Sequence, residues 1–288
     1  MSIVPQLIAN SIVAAAVYAL VALGFNLIYS ATKFFNLAHG VMATIGGYSA
    51  FYFSQTLGLN IYLSAVIGVG IAGLAGFLLD KVIYLPLRKK KASSMILLVV
   101  SLGAFTALEA VIAILFTSQF QSLSTIFSDQ KIFTILGATI TAVQVWTLVL
   151  TAFIMCALGL TLKFTKFGRA VTAISDDEEV AKIVGINTNQ IIGFVFFIGS
   201  AIAGLAGIMI GFDTGIQPTM GMNLLLKGVI ACIIGGVGNV YAAVIGALVL
   251  GFVENFGIWK ISGEWKDAIA FGVLILFLLF RPQGIFKR

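Results

Sequence analysis

Long uncharged runs, and not alternation, organise this chain. Leu7 to Tyr29, Ile61 to Leu79, Val145 to Leu162 and Ile191 to Gly211 contain no charged residue. A helix needs roughly 20 apolar residues to cross a hydrocarbon core about 30 Å thick, so each run is a candidate span. Ser93 to Phe116 carries one charge, Glu109, and Gly228 to Val253 carries none but is interrupted by GGVGN. A barrel strand shows about ten residues of alternating polarity, whereas these runs are apolar on every side. The pattern predicts an all-α polytopic membrane protein: a bundle of eight to ten transmembrane helical segments, some of them broken, in one domain over residues 1–288. The last segment, Ala268 to Phe280, has only 13 uncharged residues, so Lys266 and Arg281 are expected to reach for the interfaces.

Composition agrees: 60% of the residues are hydrophobic and 10% charged, and the mean hydropathy of +1.10 lies beyond a water-soluble domain of this length. The start, MSIVPQ, lacks a basic region and its apolar run is too long for a signal peptide, so the first segment is expected to be a retained helix. The net charge of +6 does not point to nucleic acid, because eleven of the seventeen Lys and Arg cluster at span ends: Arg88 to Lys91; Lys163, Lys166, Arg169 and Lys182; and Arg281, Lys287 and Arg288. The positive-inside rule puts these in the cytoplasm, with the C-terminus, and the bilayer is the partner they imply. The loops from about Thr117 to Ala142 and from Phe212 to Asn223 then fall outside, as does the N-terminus, on the single Lys33. Cys156 and Cys232 lie inside apolar runs, so neither a disulfide nor a metal site is implied.

Gly199, Ala203, Gly207 and Gly211 repeat every four positions, a stripe that lets helix backbones approach closely. Two glycine-interrupted segments also align without gaps: NLAHGVMATIGGYS from Asn36 and GVGNVYAAVIGALV from Gly236. Paired broken segments point to the substrate path of a transporter, here Asn36, His39, Gly40, Gly235, Gly236, Gly238 and Asn239. His39 is the only histidine, with no acid or cysteine near it in sequence, so it makes neither a triad nor a metal site, and no catalytic residue or cofactor is expected. Two roles stay open at the first segment. Asn36 can cap a helix starting near Leu37 while His39 bonds a carbonyl, or the helix N-terminus can face a substrate carboxylate. Around GGVGN the alternatives are a tight turn at the interface and irregular backbone lining water.

The most charged stretch is residues 163–190, KFTKFGRAVTAISDDEEVAKIVGINTNQ. Ser175 with Glu178 reads as a capping box, Asp176, Asp177, Glu178 and Glu179 favour a helix start, and Gly185 supplies a stop. Val180, Ile183 and Val184 form one apolar face. Anionic headgroups repel four consecutive acids, so a protein partner is the better reading than a membrane surface. The chain has no Gly-x-x-x-x-Gly-Lys-Ser/Thr loop, so any ATP hydrolysis belongs to another polypeptide.

Glu179-Val-Ala-Lys-Ile-Val-Gly185 resembles the loop by which permease subunits of ABC importers dock on their ATPases, with Val180 replacing the usual first alanine. FNLAHG at 35 to 40, Tyr84-Leu-Pro-Leu-Arg88, Gly168-Arg-Ala through Gly185-Ile-Asn187, GGVGN at 235 to 239 and Arg281-Pro-Gln-Gly-Ile-Phe286 together resemble a permease of the branched-chain amino acid ABC importers. The resemblance implies a bacterial inner-membrane assembly of two permeases, taken as a heterodimer, with two ABC ATPase subunits and an extracytoplasmic substrate-binding protein. It implies that Gly168, Arg169, Asp176 to Glu179, Ala181 and Gly185 form the coupling loop. Related permeases carry urea and short amides.

Two other classes compete. An ion-driven secondary transporter places acids in its spans, and Glu109 is the one acid well inside a run, about 25 Å from Ser93 and so near the outer interface. A channel needs a pore-lining ring, which nothing marks. Asp213, Glu254, Lys260, Glu264, Lys266 and Asp267 are expected in outer loops, where they can meet a binding protein.

Overall fold

The computed structural model describes residues 3–123, 132–135, 137–281 and 283–286. Helices α1 (Val4–Thr32), α2 (His39–Phe51), α3 (Ile61–Leu79), α4 (Leu85–Lys89), α5 (Ser94–Phe116) and α6 (Ala142–Phe164) form the first half. Two short helices, α7 (Lys166–Asp176) and α8 (Glu178–Ile183), precede α9 (Thr188–Asp213), α10 (Met220–Gly235), α11 (Val240–Gly257) and α12 (Lys266–Phe280). A π-helical turn, Asp80–Tyr84, joins α3 to α4. Among the described residues six helices are long and apolar enough to cross a membrane: α1, α3 with α4, α5, α6, α9 and α11. α10 is a shorter apolar helix, α2 has 13 residues, and the predicted interrupted segment Gly228 to Val253 is divided between α10 and α11.

α1 is the central helix although it comes first. Its most apolar window is 83% buried against 22% in α5 and in α6, which form the periphery. It packs on α11, α9, α10 and α6, while α2 packs on α9, α3 and α10. Small residues make these approaches possible. A Cβ on Gly24 would stand 2.5 Å from Gly199 O, and one on Gly46 would stand 2.5 Å from Gly204 O. The stripe of Gly199, Ala203 and Gly207 is thus spent on helix contacts with α1 and α2.

The two ends of the bundle differ. At one end Gln6 of α1 bonds both the N–H and the C=O of Thr139. Thr139 belongs to a hairpin of β1 (Ile132–Ile135) and β2 (Ala138–Thr141), an element the helical pattern does not foretell. Residues 124–131 of the same connection lie outside the described residues. At the other end gather Lys33, the Lys81 to Lys91 segment, α7, α8, the α10–α11 turn and the C-terminal segment. This is the basic end.

Candidate translocation and coupling site

After α1 ends, Lys33 takes a left-handed conformation and the chain turns back into the bundle as irregular backbone. Phe34, Asn36 and Ala38 are all buried there. Irregular backbone at such depth needs protein partners. Ser101 of α5 supplies one, accepting from Leu37 N at 3.0 Å, and Tyr84 donates to Asn36 Oδ1 at 2.7 Å. α2 then begins at His39 without a side-chain cap. Asn36 is therefore not the cap that its position suggests, because its side-chain oxygen is engaged by Tyr84.

His39 is fully buried, with Nε2 3.3 Å from Val21 O and its ring edge-on to Phe25. A carbonyl only accepts, so Nε2 carries the proton and Nδ1 is an acceptor without a hydrogen-bond partner among the described residues. Gly40 lies against Gly221 O of α10, where a Cβ would stand at 2.5 Å.

GGVGN proves to be the turn of a helical hairpin at the basic end. Gly236 and Gly238 have φ of +131° and +92°, and the Asn239 side chain caps α11 by accepting from Tyr241 N and Ala242 N. Asn26 of α1 clasps the turn: its Oδ1 accepts from Gly238 N at 2.6 Å and its Nδ2 donates to Asn239 O at 2.7 Å. The C-terminal segment closes over it. Ile285 N donates to Ile234 O and Phe286 N to Gly235 O, pairing carbonyls that a helix end leaves open. Two stretches far apart in sequence, GGVGN and Arg281 to Phe286, are one structural unit; Pro282 lies outside the described residues.

In the loop of 163–190, Thr165 caps α7 and Gly168 is buried against the end of α6, while Arg169 is exposed. The cap of α8 is Asp177 and not Ser175, since α7 continues through Ser175 to Asp176. Asp177 accepts from Glu179 N and Val180 N, Glu178 pairs with Lys182 at 2.7 Å, and Ala181 faces inward. Val180, Ile183 and Val184 are 54%, 83% and 68% exposed, so the apolar face of α8 is uncovered in this chain. Gly185, at φ +87°, ends it.

A cavity of about 400 Å³ brings the two predicted regions together. Ser30 of α1, Lys163 of α6, Thr172 and Ser175 of α7, and Gly238 and Asn239 of the turn line it. Asn36, His39 and Gly40 do not; they sit in tight contacts deeper in the bundle.

Charges depart most from expectation. Glu254 is fully buried in α11, not in an outer loop, and pairs with Lys227 of α10. Asp80 is likewise buried, paired with Arg88 and 3.7 Å from Lys81, so Glu109 is not the one acid within the helices. Asn26 and Lys227 escape a reading by charge runs, the first because an amide leaves a run uncharged and the second because it borders one. A lone polar group in an apolar helix was the signal available for both.

Over residues 7–278 the chain matches the family described as branched-chain amino acid transport system, permease component. The chain belongs to that family. This permease is 32% identical, over 98% of its length and 95% of the relative's, to the high-affinity branched-chain amino acid transport system permease protein BraD of Pseudomonas aeruginosa. It is 31% identical to the corresponding LivH protein of Escherichia coli, over 97% of its own length and 94% of the other. A part of the permease, 44% of it, is 32% identical to 36% of the xylose transport system permease protein XylH of Haemophilus influenzae. No solved structure matches it. It is a multi-pass membrane transport subunit.

Proposed function

We propose that the protein is the membrane-spanning subunit of an ATP-driven importer that moves branched-chain or similar amino acids by alternating access. One observation carries the mechanism: the cavity at the basic end has α7 of the coupling loop as one wall and the Gly238–Asn239 turn as another. A partner that displaces α7 changes the shape of that cavity directly. The Lys163 ammonium at the rim of this cavity suits a carboxylate leaving the path at this end.

Partner ABC ATPase subunits supply the hydrolysis and dock on the uncovered Val180, Ile183 and Val184 face. The basic end is cytoplasmic under the positive-inside rule, and with it the C-terminus. A second permease, as a heterodimer, completes the pathway, and an extracytoplasmic binding protein delivers substrate at the hairpin end. Urea or a short amide is the alternative cargo within the same family. An ion-coupled carrier is the rival mechanism, but the buried acids Asp80 and Glu254 are already paired with cations.

The decisive experiment replaces Asp176, Asp177, Glu178 and Glu179 with lysine in the whole complex. ATPase copurification and ATP-dependent uptake of leucine are both expected to be lost. Uptake that survives this change in ATP-depleted vesicles would overturn the importer reading, and uptake of urea in place of leucine would reassign the cargo.

A further inference from the structure

The Tyr84-Leu-Pro-Leu-Arg88 stretch and the π-helical turn before it have no part in the mechanism so far. The turn has a local cause. Pro86 lacks an N–H and its ring crowds the preceding turn, and a wide π turn at Asp80–Tyr84 relieves this without ending the helix. Such turns in a helix are frequent at functional sites.

This turn touches both regions that the mechanism must link. On one side Tyr84, fully buried, donates to Asn36 Oδ1 at 2.7 Å, and its ring meets Phe34 at 5.1 Å, both within the irregular stretch before α2. On the other, Lys81 donates to Asn189 O at 2.7 Å, in the first turn of α9 directly after α8. Between them Asp80 pairs with Arg88 and so ties the start of the turn to the end of α4. Lys81 stands 3.7 Å from the same carboxylate, so the contact with α9 and the tie to α4 share one charge cluster.

We infer that the segment from Asp80 to Arg88 is the relay by which movement of the coupling loop reaches the α1–α2 break, with Lys81 and Tyr84 as its two positioning contacts. The relay rests on the importer reading above. Movement of α8 pulls on Asn189, Lys81 carries it into the π turn, and Tyr84 delivers it to Asn36. The π turn can change register where a regular α-helix cannot, so the displacement is absorbed and transmitted within one helix.

The test uses the full complex, permeases with ATPase and binding protein, in sealed vesicles, with leucine uptake and ATP hydrolysis measured on the same preparation. Tyr84→Phe keeps the ring and removes the donor to Asn36; Lys81→Met keeps the stem and removes the donor to Asn189. Each is expected to lower uptake about tenfold, the scale of one lost side-chain hydrogen bond, while hydrolysis stays within about twofold of the unaltered complex. Contacts in series predict that the double variant loses little more than either single one. Hydrolysis falling in step with uptake, additive losses, or unchanged uptake would each overturn the relay. Lowered thermal stability and loss of copurification in both variants would also overturn it, by showing a purely structural role. Leucine entry into vesicles of the unaltered complex without ATP would instead overturn the importer reading on which the relay depends.

Discussion

Lys227 of α10 and Glu254 of α11 form an ion pair in the interior of the bundle, Glu254 being fully buried and Lys227 8% exposed. Glu254 also accepts from Tyr18 of α1 at 2.7 Å, and Lys227 pairs with Asp267 at the start of α12, again at 2.7 Å. Lys266 of α12, 3.8 Å from Glu254, balances the second acid, so four helices meet at one cluster of two cations and two carboxylates. Bringing charges out of water is costly, so such a pair fixes register more than it adds stability.

Removing one partner is therefore the damaging change. Glu254→Leu leaves the buried Lys227 with Asp267 alone and is expected to destabilise the protein by about 3 kcal/mol. Lys227→Met with Glu254→Leu is expected to lose less than either single variant, because neither member of the buried pair is left without the other and the Asp267 carboxylate that loses Lys227 is exposed. Thermal unfolding of the purified protein in detergent compares the three, and a double variant less stable than both singles would contradict this account.

Asn26 uses both ends of its amide on the α10–α11 turn, so Asn26→Leu strands the Gly238 N–H and leaves the Asn239 C=O with its helical bond from Ala243 N alone. The expected cost is about 2 kcal/mol. Loss of the clasp should also be local: amide exchange at residues 236 to 239 is expected to quicken while exchange in α2 and α9 is unchanged. A uniform increase across all helices would show that Asn26 supports the bundle and not the turn.

The bundle was legible because a membrane helix must satisfy its own backbone, which makes uncharged length a strong signal. Leu7 to Tyr29 and Ile191 to Gly211 accordingly appear as α1 and α9 with little change. What escaped was long-range polar pairing. Glu254 looks like a loop charge until Lys227, 27 residues earlier, is seen beside it. Asn36 looks like a cap until Tyr84, 48 residues later, takes its oxygen. Ser175 resembles a cap by spacing, but Asp177 fills that place because a helix not predicted from the sequence, α7, runs on through Ser175 to Asp176. The β1–β2 hairpin escaped because its four-residue strands are too short to set a period.

On α8 the exposure of Val180, Ile183 and Val184 separates folding from assembly. Ile183→Glu places a charge where the side chain is already 83% exposed, so its effect on the stability of the isolated permease is expected within about 0.5 kcal/mol. If an ATPase docks on this face as proposed, the same change buries a carboxylate under it, and ATPase copurification is expected to fall by at least about tenfold. Weakened permease folding with intact copurification would reverse this assignment.

His39 is the residue at which structure and transport are hardest to separate, and two variants separate them. Nε2 holds Val21 O, a bond that fixes the start of α2 against α1, while Nδ1 is a buried acceptor without a hydrogen-bond partner among the described residues. His39→Leu removes both nitrogens and is expected to impair uptake with assembly and ATPase docking intact. Asn239→Leu at the inner cavity should give the same split, with an added stability cost of about 1 kcal/mol from the lost cap of α11. Normal uptake in both variants would leave these residues with packing and capping alone.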